Sequence, residues 1–412
     1  MKVLLLSASD ISGGASIAAY RLHRALLSNN IDSQMLVQNK SSDDFTVLSP
    51  GTKIKKILYK LRPKLDSIPI RFYKNKTKTL FSPALLGFSP IVDQINAINP
   101  DIVHLHWISG GMMSVDDISK INVPIVWSLH DMWAFTGGCH YNEHCNGYEK
   151  TCGNCKVLNS NKKHDLSERV FKKKIKAYSK IKNLVVVGLS KWISRCASKS
   201  TLFENREIVT LPNCLDVDLF KNRDKKMARG MFHIPKNKKV ILFGAMNSLG
   251  DPRKGAAELF KAIDMLEVKN AVFVIAGSGR AEKPLCLKYP VYFIPPLQDE
   301  VSMSLLYNVA DVFIVPSLQE NLSNSIVESL SCGVPVVAFN IGGNKDMIDH
   351  KKNGYLADIY NTKDMAQGIE WILKNKKYKQ LTLNARDKIL NKFDSKYVAQ
   401  QYADLYKSIL GN

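Results

Sequence analysis

Apolar residues along this chain collect in short unbroken runs separated by amphipathic stretches. Residues 2–7 (KVLLLS), 102–107 (IVHLHW), 125–130 (IVWSLH), 185–190 (VVVGLS) and 208–211 (IVTL) read as buried strands of the first half. Residues 239–244 (KVILFG), 273–277 (FVIAG), 291–294 (VYFI), 312–315 (VFIV) and 336–339 (VVAF) do so in the second. A run without polar alternation has both faces covered, as in a parallel sheet with helices on each side. Helical spacing falls between the runs, at 18–27, from 256 onwards and at 302–310, and helices are expected to fill the chain beyond Tyr355. The pattern predicts an α/β protein.

The segment 316–355, PSLQENLSNSIVESLSCGVPVVAFNIGGNKDMIDHKKNGY, joins two of these strands. Ile326, Val327 and Leu330 give a helical stripe with Ser323 at the N-cap position, and Gly333 and Pro335 stop it. Strand, loop, helix and strand make one parallel crossover, and ligands bind beyond the carboxyl ends of such strands. Glu320 lies in that loop and Glu328 on the helix, with seven residues between them. A rise of about 1.5 Å per residue sets them roughly 12 Å apart, too far to share a proton or a metal, but suited to two parts of one long ligand. Backbone amides from Asn321 to Asn324 open the helix, where a phosphate or a sugar oxygen is attracted. Read alone, the two glutamates equally suit a solvated loop and a helix surface.

Glu-x7-Glu after Pro-Ser, followed by Gly-Val-Pro-Val-Val and Ile-Gly-Gly, resembles the signature of retaining nucleotide-sugar glycosyltransferases of family 4. The resemblance implies the GT-B fold, two Rossmann-like doubly wound domains facing each other across a cleft. The domains are expected at 1–212, for the acceptor, and 213–395, for the nucleotide sugar, with helix 396–412 packing back on the first. Glu320 would bind hydroxyls of the donor sugar and Glu328 the ribose. The amides of Asn321, Leu322 and Ser323 would grip sugar and diphosphate. Gly13 and Gly14, in SGGAS between a strand and a helix, match the family's glycine-rich loop under the donor diphosphate or beside the acceptor; a plain tight turn is the other reading. His130 opens HDMWAFTGGCHY at a strand end and would face the donor sugar. That segment resembles a subset of these enzymes from bacterial surface-polysaccharide synthesis, the lipopolysaccharide and capsule pathways.

In DPRKG, at 251–255, Lys254 matches the family's phosphate-clamp lysine. Ala245 or Met246 stands where the family's clamp arginine is common, with Arg253 as a candidate substitute. Leu297, in the loop 295–298, would frame the base. The resemblance also implies retention of configuration by same-face transfer, without a protein nucleophile or a catalytic metal. Asp216-Val217-Asp218 copies the metal motif of another glycosyltransferase fold but reads here as a turn cap.

A length of 412 residues fits two domains, and an apolar share of 45% lets each bury a core. Lys and Arg number 58 against 37 acids, a net +21, which favours polyanionic partners. The basic runs lack the aromatic interleaving of a nucleic-acid surface, so no nucleic-acid partner is expected. Residues 53–80 hold ten of these cations and one acid, Asp66. There Ile54, Ile57, Leu58, Leu61 and Leu65 recur at helical spacing, and Pro63 is expected to kink or end the helix. This suits an anionic membrane surface, at about 1 kcal/mol per basic residue, or a plain surface helix. A second basic run, 171–182, reads as a solvated helix face.

MKVLLLSASD has too short an apolar core for a signal peptide, and the expectation is a cytoplasmic enzyme, peripheral on the inner face of the plasma membrane. Cys139, Cys145, Cys152 and Cys155 are spaced x5, x6 and x2, with His140 and His144 among them. Structural zinc, unpaired thiols and disulfides all fit that spacing. The reaction expected is transfer of a sugar from a nucleotide-sugar donor to a hydroxyl of a lipid-linked glycan acceptor. An epimerase or phosphorylase on the same fold, a basic nucleic-acid binder and a non-catalytic sugar-nucleotide binder are the rivals.

Overall fold

The computed structural model describes residues 1–49, 53–87, 90–244, 250–277 and 287–411, with backbone alone over 53–58. The chain divides into two compact units, Met1–Asn213 with Val398–Asn412, and Cys214–Tyr397.

The first unit is built on seven parallel strands: β1 (Lys2–Ser9), β2 (Asp32–Asn39), β3 (Val47–Leu48), β4 (Ile102–Leu105), β5 (Ile125–Leu129), β6 (Leu184–Gly188) and β7 (Glu207–Thr210). Their order is β3-β2-β1-β4-β5-β6-β7. The order reverses between β1 and β4, where loops part to leave a ligand crevice. Helices α1 (Gly14–Ser28), α2 (Lys53–Asp66), α3 (Ile91–Ile98), α4 (Val115–Ile118), α5 (Leu166–Tyr178) and α6 (Lys191–Ser198) supply the crossovers. Leu4, Leu6, Val103, Leu105, Trp127 and Val186 lie in the core between sheet and helices.

Three features here depart from the sequence expectation. Strand β2 carries too many polar residues to show as an apolar run, and β3 is only two residues long. Pro63 does not end α2, which continues to Asp66. Proline's missing N–H frees the carbonyl of Tyr59 one turn back, and the Gln38 amide donates to that oxygen at 3.0 Å. Arg62 and Asp66, rather than Leu61 and Leu65, face inward: the guanidinium donates to the carbonyls of Gly111 and Leu86, and the carboxylate accepts from the amides of Ala84 and Leu85. The third departure is Lys174 in the second basic run, which is wholly buried rather than solvated. The helical repeat sets it on the same face of α5 as Phe171 and Tyr178.

The second unit has six parallel strands: β8 (Lys239–Gly244), β9 (Ala271–Ala276), β10 (Val291–Ile294), β11 (Val312–Val315), β12 (Val336–Phe339) and β13 (Gly354–Ala357). Their order is β10-β9-β8-β11-β12-β13, with the switch point between β8 and β11. Its helices are α7 (Lys225–Met231), α8 (Ala256–Asp264), α9 (Glu300–Asn308), α10 (Asn324–Ser331), α11 (Asn344–Met347), α12 (Thr362–Leu373) and α13 (Tyr378–Lys392). Strand β13 corrects the expectation of helices alone beyond Tyr355; as the edge strand it is only four residues long. Helix α14 (Ser395–Leu410) leaves this unit, and from Val398 onward it belongs to the first. There the Tyr406 hydroxyl meets His104 Nδ1 at 2.7 Å. Asp216 accepts from the amides of Asp218 and Leu219, which makes it a turn cap.

Asp311 fastens the base of the second sheet. Its carboxylate takes Arg229 Nη2 at 2.8 Å, Lys225 Nζ at 2.7 Å and the Val240 amide at 2.8 Å. Burial by itself would raise this carboxyl, but the two cations and the amide hold it below the usual carboxylate range. A carboxyl depressed by folding stabilises above its unfolded pKa and loses that contribution as pH falls through the folded one. Acid is therefore expected to loosen this unit. Asp311→Asn, which strands the buried Arg229, should cost about 3–5 kcal/mol, read by denaturant unfolding at neutral pH. An unchanged unfolding midpoint would count against this role.

Candidate active site

At the switch point of the second unit, the chain leaving β8 re-enters through a 3-10 turn at Pro252–Lys254. Asp251 caps that turn by accepting from the Arg253 amide at 3.0 Å. Its carboxylate also takes Arg253 Nε at 3.2 Å and Nη2 at 2.7 Å, so the guanidinium is ion-paired within its own loop. The turn is then clasped to the loop after β11. Leu318 N donates to the Arg253 carbonyl at 2.8 Å. Gly255, at φ +71, lies so close to Pro316 that a Cβ there would overlap its carbonyl oxygen.

This clasp brings Lys254 to Glu320, with Nζ 3.3 Å from Oε2. The two side chains retain 31% and 11% exposure, so the pair is reachable from solvent. The Glu320 backbone rests in turn on the glycines after β12. Gly342, at φ +49, sits where a Cβ would overlap the Glu320 carbonyl oxygen, and Gly343 N faces the same oxygen at 3.4 Å. Asn321, Leu322 and Ser323 are buried and lie in the loop, since α10 begins only at Asn324. Ser323 stands at the N-cap but makes no side-chain cap bond; its hydroxyl pairs with Ser325 at 2.9 Å. The first amides of α10 thus receive no oxygen from the Ser323 side chain. One turn further in, Glu328 is buried and accepts the Tyr307 hydroxyl at 2.7 Å. Leu297 lies half-buried in the loop after β10, two strands from the switch point. Ala245 and Met246, where the clamp arginine is common, lie outside the described residues.

In the first unit, Gly13 at φ 95 turns the chain from β1 into α1, and Gly14 opens that helix. Open space surrounds a Cβ placed on Gly13, so glycine serves there for its backbone angle alone. The neighbouring Asp10 carboxylate is buried and takes the amides of Ile11, Ser41 and Ser42. His130 follows β5 and meets His106 Nδ1 with its Nε2 at 2.9 Å. His106 Nε2 is buried without a partner among the described residues. An orphaned buried N–H is rarer than an orphaned acceptor. His106 is therefore assigned as the Nδ1 donor and His130 as the acceptor. Burial lowers His130 to about 4, against the raising pull of Asp131, and lowers His104 to about 3. These rings are neutral at neutral pH. Asp131 accepts from His140, Trp107 Nε1 and the Trp133 amide, which fixes the segment after His130.

Cys139, Cys145, Cys152 and Cys155 all line one small cavity in this unit and form no disulfide. As the side chains stand, no three His, Cys, Asp or Glu groups are set to hold a metal among the described residues.

Sucrose-phosphate synthase from Thermosynechococcus elongatus superposes on this chain with a TM-score of 0.72, covering 100% of this chain and 99% of its own, at 16% identity. The chain has the GT-B fold. Within it, residues 224–388 match the family described as Glycosyl transferases group 1. The N,N'-diacetylbacillosaminyl-diphospho-undecaprenol alpha-1,3-N-acetylgalactosaminyltransferase of Campylobacter jejuni is 31% identical over 166 residues, 39% of this chain and 43% of its own. The UDP-Gal:alpha-D-GlcNAc-diphosphoundecaprenol alpha-1,3-galactosyltransferase of Escherichia coli is 23% identical over 222 residues, 52% and 57%. The chain spans about half the length of the curated relatives it matches.

In this GT-B chain the sequence-predicted residues fall into three groups. Lys254, Glu320 and the loop 321–323 meet at one switch point, with Arg253 beside them. Glu328 lies a helical turn further in. Gly13, Gly14 and His130 lie at strand ends of the other unit. Tyr307 escaped notice, and His106 was given no role. Nothing in the spacing marks Tyr307, whereas the histidines ending two consecutive strands did signal the His106–His130 pair.

Gly342→Ala should displace Glu320 and impose a left-handed alanine, at about 1–3 kcal/mol of stability. Chemical denaturation checks this; unchanged stability would show that the loop yields freely.

Proposed function

We propose that this protein is a retaining glycosyltransferase of the family 4 type, moving a sugar from a nucleotide-sugar donor to a hydroxyl of a lipid-linked glycan in bacterial surface-polysaccharide synthesis. The observation that carries the reading is the Lys254–Glu320 pair at the switch point, beside the head of α10. A carboxylate there can accept from sugar hydroxyls while the adjacent ammonium meets the diphosphate. Glu328, whose carboxylate is held by the Tyr307 hydroxyl, takes the ribose hydroxyls in this reading. The amides of 321–323 and of the α10 start grip sugar and diphosphate. Arg253, already paired with Asp251, is a secondary contributor to the clamp. Leu297 frames the base, Gly13 and Gly14 take the phosphate or acceptor side, and His130 is given a contact to the donor sugar.

In the transfer, the bond from the anomeric carbon to the diphosphate breaks and its electron pair leaves with the phosphate oxygen. The acceptor hydroxyl attacks from the same face, and its proton passes to the departing phosphate. The leaving charge falls to Lys254 and the amides, so the reading calls for no catalytic metal. A lipid-linked acceptor is supported by the diphospho-undecaprenol substrates in the names of both relatives above.

Peripheral membrane binding is supported by the outer face of α2 and the turn after it. Leu61, Leu65 and Ile68 are each about half exposed and Phe72 is 82% exposed, among Lys60, Lys64 and Arg71. No helix among the described residues is long and apolar enough to cross a membrane.

Glu320→Ala and Lys254→Ala should each raise the barrier by about 3 kcal/mol, measured as donor turnover across a nucleotide-sugar panel with a lipid-diphosphate glycan acceptor. Full activity in both variants would defeat the assignment, and His130→Ala tests the histidine by the same assay. For the membrane face, the Leu65→Ser, Phe72→Ser double variant should co-sediment with anionic vesicles about tenfold less than the parent, since a fully buried side chain contributes ~1.5–3 kcal/mol. Equal binding of both proteins to anionic vesicles, or parent binding as strong on neutral as on anionic vesicles, would refute an electrostatically assisted surface.

A further inference from the structure

We infer that Cys139, Cys145, Cys152 and Cys155 form a closed tetrathiolate site for one zinc ion, with buried Lys174 as its counter-charge. The four cysteines come from separate turns of the loop after β5, yet all line a single cavity of about 20 Å³. That is room for one water-sized sphere or one metal ion. Backbone amides are aimed at three of the four sulfurs. Gly137 N lies 3.2 Å from Cys152 Sγ, and Gly147 N lies 3.4 Å from Cys145 Sγ. The amides of Val157 and Leu158 reach Cys155. A neutral thiol is a weak acceptor, so converging amides suit sulfur that carries charge.

A second observation comes from a different element. Lys174 on α5 is fully buried, and no carboxylate pairs with it among the described residues. Its ammonium donates to the carbonyls of Trp133 and Thr136 and lies 3.8 Å from the centre of the Trp133 ring. Burial lowers this lysine to about 7, against the raising pull of Cys139, Cys152 and Asp131. A zinc ion with four thiolates carries a net charge of −2, which supplies the anion that a buried ammonium needs. His140 does not compete for the metal: it commits Nδ1 to Asp131 and Nε2 to Ser82. Four sulfurs and no open position make the site structural rather than catalytic.

The thiol rotamers shown fall short of a ligating set. Loading turns them into the cavity, forms four zinc–sulfur bonds and releases four protons to solvent. The bound ion then pins the chain from Gly137 to Leu158, including His140, which holds Asp131 next to His130.

The test uses the full chain and metal alone. Purified protein is expected to carry one zinc per chain. After stripping, Co²⁺ should restore one equivalent with sulfur-to-metal charge-transfer bands and tetrahedral d–d bands, and zinc should release four protons per ion in unbuffered solution. Lys174→Met should weaken zinc binding about 10–100-fold, as loss of an outer partner does. Cys152→Ser with Cys155→Ser should abolish the cobalt spectrum. A folded wild-type chain that takes up no Co²⁺ overturns the site. So does a cobalt spectrum lacking charge-transfer bands, or denatured metal-free protein, purified without reductant, that has fewer than eight titratable thiols.

Discussion

Backbone-on-backbone contact between three strand-end loops sets the geometry of the second unit. The 3-10 turn after β8 is bonded to the loop after β11 through Leu318 N and the Arg253 carbonyl, and Gly255 lies directly against Pro316. The loop after β12 then supports Glu320 from the other side through Gly342. Such contacts exclude a Cβ, so two left-handed glycines are part of the site though neither carries chemistry. The main chain brings the Lys254 ammonium and the Glu320 carboxylate together, and the side chains need only extend. Charge preorganised in this way costs little rearrangement when a ligand or a leaving group arrives.

The first unit uses aromatic and polar side chains for a comparable purpose. His104 is held by Ser128 and by Tyr406 of the terminal helix, and its ring lies 4.2 Å from that of His106. His106 in turn fixes His130. Burial keeps these imidazoles neutral, so they form a relay of orientation rather than a store of charge. Asp131 does the same for the following segment, where one carboxylate organises His140, Trp107 and the Trp133 backbone. The loop that carries the four cysteines grows out of that segment, so its order and that of the His130 region are linked along the chain.

Much of this was legible in the sequence. Unbroken apolar runs at β1, β8, β11 and β12 named the parallel sheets, because a strand covered on both faces leaves no polar alternation. Glu320, Glu328 and Lys254 stood out because a motif is a spacing, and spacing survives without coordinates. The polar strand β2 was missed for the opposite reason, and β3 because two residues make no pattern. Proline at 63 does not end α2, because its cost is local while its remedy, the Gln38 amide, lies 25 residues away. The lysine run at 171–182 is solvated at Lys172, Lys176, Lys180 and Lys182 but not at Lys174, since composition averages over faces that a helix separates.

The sequence by itself determined most of the strands and helices, the parallel crossover around Glu320, and which residue types stand at the strand ends. These follow from periodicities written within some ten neighbouring residues. Only the tertiary structure decided partners: Tyr307 for Glu328, His106 for His130, Lys254 for Glu320, and the burial of Lys174 beside the cysteine loop. A side chain's partner depends on strand order and helix packing, which bring together positions far apart in the chain, and no local pattern encodes those pairings.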